Sequence, residues 1–252
     1  MSWRLASYNV FEWLVQAKTL GCETVVFDIR GMHYRKWSPQ TTRMRFRSIC
    51  LPAPALAGMG LEVYDERTIG KTGAEEVAGA GGGALVSFWR KHCGFERLKS
   101  VRPPGKARYT VTLRRTERSP GRNSDEALWR EFADEIGALV IPDYEDKRIH
   151  LHERMAWYAG AEMNFFVSNG PAVLCSLTDY PCMIFDTQKA AGSLAGDGLP
   201  GWGAQYPWLR ENQRAIWEEP SHEALRAYFY HWKETGEFLG RDLVRNVGSP
   251  EA

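Results

Sequence analysis

No apolar run in this 252-residue chain approaches the ~20 residues that a membrane-spanning helix needs, and its amino terminus lacks the charged and apolar regions of a secretory signal. Neither charge sign prevails: the formal net charge is +1, so nothing global favours a nucleic-acid or membrane partner. Cysteine is scarce. The five residues at 22, 50, 93, 175 and 182 are scattered and odd in number, which argues against disulfides and for a reducing, cytoplasmic compartment. There is no Gly-x-Ser-x-Gly elbow, Walker loop or zinc-protease helix, which speaks against the corresponding hydrolases and nucleotide triphosphatases. Internal repeats and low-complexity tracts are also missing, so a globular fold is expected.

What is present is a core-forming composition, 44% hydrophobic and 25% charged. The length suits either one α/β unit or two compact lobes. Charge is unevenly spread, with 14 basic against 9 acidic residues in the first 100 and 18 against 22 in the remainder. Ser100-Val-Arg-Pro-Pro-Gly-Lys-Ala107 interrupts every periodicity and is the expected linker. It separates a shortened amino-terminal α/β lobe, residues 1–100, from a larger carboxyl-terminal lobe, residues 108–252.

In the first part, Val10, Trp13, Leu14, Ala17 and Leu20 recur at helical spacing, and Asn9 is a cap with Glu12 three residues on. Gly21 ends that helix. Thr24 to Ile29 reads as a buried strand and Leu61 to Asp65 as another. Six cations and no acid fall between Arg30 and Arg47. Arg43 and Arg47 share one face of a helix expected over Thr41–Cys50, suited either to the acceptor side of a cleft or to plain solvation. The glycines at 79 and 81–83 loosely match the dinucleotide fingerprint, but the strand and helix expected around them come in reversed order, so a flexible turn is the expectation. Asp28, His33 and Asp65, at or just after strand ends, are candidates for a general base and equally for caps or turns.

The second part alternates apolar β-rich runs with helix-length amphipathic segments, the mark of a Rossmann-like α/β fold with parallel sheets and ligands at the strands' carboxyl ends. Strands are expected at Tyr109–Arg115, Ala138–Pro142, Met163–Val167, Pro181–Asp186 and Ala215–Trp217. Helices are expected from about Ser124, over His150–Ala161, over Gly170–Leu177 and over Ser221–Trp232, with a long loop over 187–213. Arg114 and Arg115 leave the first of these strands, and their planar forks match phosphate oxygens. The alternative is surface pairing with Glu117 or Asp125. Ser168-Asn169-Gly170-Pro171 would start a helix with free amides facing an anion, and is also simply a good helix start. Glu153 suits a ribose hydroxyl pair or the helix dipole. Asp143 and Glu145 form an acidic turn loosely like a metal clamp. His150 and His152, two apart on a helix, point in different directions, so no metal site is expected.

The run from Arg154 through Tyr158-Ala-Gly-Ala161 to Phe166-Val-Ser-Asn-Gly-Pro171, Leu174 and Pro181-Cys-Met-Ile-Phe185 resembles the donor half of two-lobe glycosyltransferases of the GT-B type, particularly heptosyltransferase-like ones. Val111-Thr-Leu-Arg-Arg-Thr-Glu117 is similar to the arginine motif of α-1,6-fucosyltransferases. Over roughly residues 108–235, the resemblance implies a nucleotide-diphosphate sugar donor facing Arg114, Arg115, Ser168, Asn169 and Gly170, with no metal or other cofactor. Asp143 and Glu153 join this expected substrate-contacting set. Arg115 would offset charge on the leaving diphosphate, while Asp28 or His33 would take the proton of an acceptor hydroxyl. The amino-terminal lobe is shorter than in that family. A non-catalytic nucleotide- or sugar-binding module, or another Rossmann-type enzyme, remains an alternative.

Overall fold

The computed structural model describes residues 9–30, 43–65, 67–71, 73, 82–115, 120–142, 150–185 and 205–239. The protein is α/β with parallel sheets. The amino-terminal part holds helix α1 (Asn9–Thr19), strand β1 (Thr24–Asp28), the short helix α2 (Ala53–Leu56), strand β2 (Gly60–Tyr64) and helix α3 (Gly82–His92). In the carboxyl-terminal part β3 (Tyr109–Thr112), α4 (Glu126–Ile136), β4 (Leu139–Ile141), α5 (Leu151–Gly160), β5 (Met163–Val167), α6 (Gly170–Ser176), β6 (Cys182–Phe185), β7 (Gln213–Ala215) and α7 (His222–Thr235) follow.

β1 and β2 pair in parallel. The other five strands form a parallel sheet in the order β4-β3-β5-β6-β7, which is the 2-1-3-4-5 order of a doubly wound fold. In that order the chain moves to one side of β3, then returns to the other. The switch point therefore lies between β3 and β5, which are paired from Tyr109↔Met163 to Thr112↔Phe166.

The three central strands, β3, β5 and β6, are buried on both faces, as helices on either side require. On one face Tyr109, Val111, Phe165 and Phe185 pack with Trp129 and Phe132 of α4 and Tyr228 and Phe229 of α7. On the other, Phe166 and Ile184 pack with α5 and α6, and this core continues without a break into α1, β1 and α3. Residues from both sides of the 100–107 stretch thus share one core. The residues leading into that stretch and Gly105 within it are bonded to the core: Leu98 N donates to Leu177 O (3.0 Å), Lys99 N to Leu56 O (2.8 Å) and Gly105 N to Ala156 O (2.7 Å).

Several elements differ from expectation. The apolar run after the glycines is a helix, α3, so the order is strand and then helix after all. The glycines nevertheless stand far beyond the end of β2, and a fingerprint needs them in the tight turn itself. The helix over 43–50 turns from α to π geometry at Phe46, with Leu51 N reaching Phe46 O (3.0 Å). The last strand is Gln213–Ala215, two residues earlier than hydropathy suggests, because the Gln213 side-chain amide finds the carbonyls of Cys175, Thr178 and Tyr180 inside the core. All five cysteines are free thiols, and among the described residues no helix is long and apolar enough to cross a membrane.

Candidate functional site at the switch point

Side chains alternate along β3. Tyr109, Val111 and Leu113 enter the α4–α7 core, while Thr110 and Thr112 face α5. The Thr110 hydroxyl donates to Asn164 Oδ1 (2.6 Å), and the Thr112 hydroxyl shares a 3.0 Å bond with that of Tyr158. Sheet pairing continues one residue past the strand, with Leu113 N on Ile141 O (3.0 Å). Arg114 and Arg115 then leave the sheet at its carboxyl end.

The loop after Arg114 folds back onto it. Arg114 N donates to Ser124 Oγ (2.8 Å), and Ser124 N donates to Arg114 O (3.0 Å). Arg114 Nη1 reaches Arg122 O (3.3 Å), and Arg122 Nη2 crosses to Ser168 O (3.1 Å) at the end of β5. The structure therefore brings Arg114, Arg115, Ser168, Asn169 and Gly170 to the two adjoining strand ends of the switch point. Arg114 is half-buried and Arg115 exposed.

Ser168 keeps β5 tied to β6 through its N–H on Phe185 O (2.9 Å). Asn169 caps α6, its Oδ1 accepting from Ala172 N (2.9 Å), with Gly170 and Pro171 opening the helix. The Asn169 Nδ2 group is buried and has no hydrogen-bond partner among the described residues. Such a donor costs about 1–3 kcal/mol unless something accepts from it.

Glu153 lies half-buried in the first turn of α5, on the same side of the sheet because α5 follows β4. Its helix is capped by His150, whose Nδ1 accepts from His152 N (3.2 Å), and His152 Nε2 lies 2.9 Å from Pro52 O. The two histidines thus serve a cap and an inter-element contact. In the basic segment Arg43 and Arg47 are exposed and Arg45 is half-buried. His33, Asp143 and Glu145 lie outside the described residues.

Asp28 is at the end of β1, in the smaller sheet. Its carboxylate accepts from Arg30 Nε (3.0 Å) and Nη2 (2.6 Å), and that pairing holds its pKa down at about 2. A depressed carboxyl pKa contributes stability above the unfolded value near 3.8, and the contribution disappears as pH falls through about 2. NMR titration should therefore find Asp28 ionised at every pH above about 4, with salt weakening this exposed pair. A midpoint near 4 would remove the ion pair from solution.

Three residues without a strong sequence signal also belong to this region. Arg154 is 1% exposed, with Nη1 on the Tyr158 hydroxyl (3.2 Å) and Nη2 on Pro142 O (3.0 Å), directly beneath the end of β3. Its place was readable only as a member of the inward stripe Leu151, Arg154, Met155 and Tyr158 on α5. Arg122 stands alone in a proline- and glycine-containing turn, where nothing marks it. Tyr206 stacks on Trp208 (5.1 Å, 14°), and burial pushes its hydroxyl up to about 12, with nearby Glu12 adding and Arg122 opposing.

Glu12 also reaches the region, because its carboxylate and Arg122 both act on the Tyr206 hydroxyl. The Thr19 hydroxyl, in the last turn of α1, accepts from Glu96 N (2.7 Å), and the adjoining Arg97 donates to Ser176 O at the end of α6 (3.1 Å). The chain matches no family model, no curated protein and no solved structure.

Proposed function

We propose that the protein is a metal-independent glycosyltransferase, a shortened relative of the two-lobe GT-B type, working in the cytoplasm. A nucleotide-diphosphate sugar binds the switch point of the five-stranded sheet, and an acceptor hydroxyl approaches from the amino-terminal part. The observation that carries this reading is the convergence of Arg114, Arg115 and the buried, unpartnered Asn169 Nδ2 where β3 and β5 end side by side. A doubly wound sheet binds ligands at that place, and these groups are donors and cations suited to a diphosphate.

In the reaction the acceptor O–H loses its proton, a new bond forms from that oxygen to the anomeric carbon, and the bond from that carbon to the diphosphate oxygen breaks. Arg114 and Arg115 offset the charge that grows on the departing nucleoside diphosphate. Ser168, Asn169 and Gly170 hold the phosphate group, and Glu153 accepts from ribose hydroxyls. Asp143 joins the donor contacts, and Arg43 and Arg47 face the acceptor. Of the two candidate bases, Asp28 is engaged by Arg30, which leaves the role to His33.

Calorimetry with a panel of nucleoside diphosphates and nucleotide sugars tests this. Arg114→Ala and Arg115→Ala should each weaken binding by roughly 1.5–3 kcal/mol, the value of a lost charge-assisted hydrogen bond, with the fold unchanged. Unaltered affinity in both variants would sink the phosphate site. The ion pair at Asp28 favours a second reading, a binding module without catalysis, which donor binding with neither hydrolysis nor transfer would establish.

A further inference from the structure

We infer that Arg122 is a positioning residue of the switch point, fixing the Ser168–Asn169 turn so that it and the β3 arginines address one phosphate group. The inference rests on the phosphate-binding reading above. It starts from the way the loop after β3 is closed. The two bonds between Arg114 and Ser124 draw the loop into a clasp, and Asn123 N donates to Pro120 O (3.0 Å) within it. Arg122 ends the one-turn helix Pro120–Arg122, and its own carbonyl is held by Arg114 Nη1. Its backbone is thereby tied to the end of β3.

Its side chain goes the other way, across the crevice, to the carbonyl of Ser168 (3.1 Å). The same residue's N–H is bound to β6, so the peptide leading into Asn169 is held from two directions. Asn169 Oδ1 is then committed to Ala172 N, which leaves Nδ2 as the buried group without a partner. A guanidinium carries five N–H donors in a fixed plane, and among the described residues Ser168 O is the acceptor Arg122 has found. Arg122 is thus the link through which the ends of β3 and β5 keep a fixed separation.

The probe is inorganic pyrophosphate, alongside ADP, GDP and UDP, titrated calorimetrically into the wild type, R114A, R122A and R122K, each checked by thermal melting. R122A should bind pyrophosphate roughly tenfold more weakly at an unchanged melting temperature, the loss expected when one charge-assisted hydrogen bond goes. Millimolar guanidinium, far below denaturing concentration, should restore part of that affinity, which a purely structural residue would not show. R122K keeps the charge without the planar fork and should fall between the two. If R122A does not fold, R122K carries the test, and wild-type affinity in R122K overturns the inference. Full affinity in a folded R122A, with R114A weakened, removes the role of Arg122 and leaves the phosphate site standing. Failure of the wild type to bind any of the four probes removes both.

Discussion

Arg97→Met should unfold in markedly less urea than the wild type, at an unchanged m-value, for a loss of about 3–4 kcal/mol. The Arg97 side chain is 6% exposed, and its guanidinium lies where α6 ends. There Nη1 donates to Ser176 O (3.1 Å) and Thr178 O (3.4 Å), and Nη2 donates to Trp208 O (2.5 Å). A helix terminus leaves such carbonyls without partners, and a cation there also meets the negative end of the helix dipole. The guanidinium further stacks over Phe95, 4.7 Å from its centroid.

Burial lowers the Arg97 pKa to about 10, with Arg210 adding to the fall and Asp179 opposing it, so the charge is retained at neutral pH. The Asp179 carboxylate is 3.8 Å from Nε and 60% exposed, and contributes little. Methionine keeps the aliphatic volume and removes every donor, leaving Ser176 O and Trp208 O without the guanidinium, while Thr178 O keeps Gln213 Nε2. Lysine should recover only part of the loss, because one ammonium cannot reach all three. A urea midpoint for Arg97→Met equal to the wild type's would mean those carbonyls find water instead.

The second large effect is expected at Gly160. A Cβ there would lie 2.7 Å from Gly105 N and 2.8 Å from Gly105 C, and would overlap Gly105 O outright. Gly105 cannot retreat, because its N–H is bound to Ala156 O (2.7 Å), nor can it gain a side chain, since its own Cβ would meet Trp157 Cδ1 at 2.8 Å. Alanine in a helix is favoured over glycine by about 1 kcal/mol, which works against the clash. The clash wins, for overpacking against backbone costs ~1–3 kcal/mol or more, so Gly160→Ala should lose about 1–2 kcal/mol net and Gly160→Val more. Hydrogen exchange at the Gly105 amide should accelerate in both variants, because the linker is lifted from α5. Gly160→Ala as stable as the wild type, with Gly105 still protected, would show that the contact is looser than its geometry.

Much of the fold was legible because the relevant signals are local. The helical spacing of Val10, Leu14 and Ala17, the run Met163–Val167 and the run Cys182–Phe185 each announce an element by periodicity and length, and all three form. Asn169 as a cap and Gly21 as a left-handed stop (φ 86°) are equally local devices. β7 was misjudged by two residues because Gln213 and Arg214 are polar, and only the carbonyls around Cys175 make a buried glutamine tolerable there. α3 was hidden because glycine opens it, and glycine has no intrinsic preference for a helix.

The candidate site divides along the same line. Composition and pattern alone determined an α/β protein with strands ending in Arg114-Arg115 and in Ser168-Asn169-Gly170, since a residue's place along its own strand follows from the residues beside it. That those two ends adjoin was decided by strand order, which depends on which faces can be buried together and is set by contacts between residues some 50 positions apart. The same holds for Arg122 at the Ser168 carbonyl, Arg154 beneath β3 and Glu12 near Tyr206. A buried charge or a bridging guanidinium is stabilised by carbonyls and hydroxyls that only the folded chain supplies, and such partners leave no period or motif in the sequence.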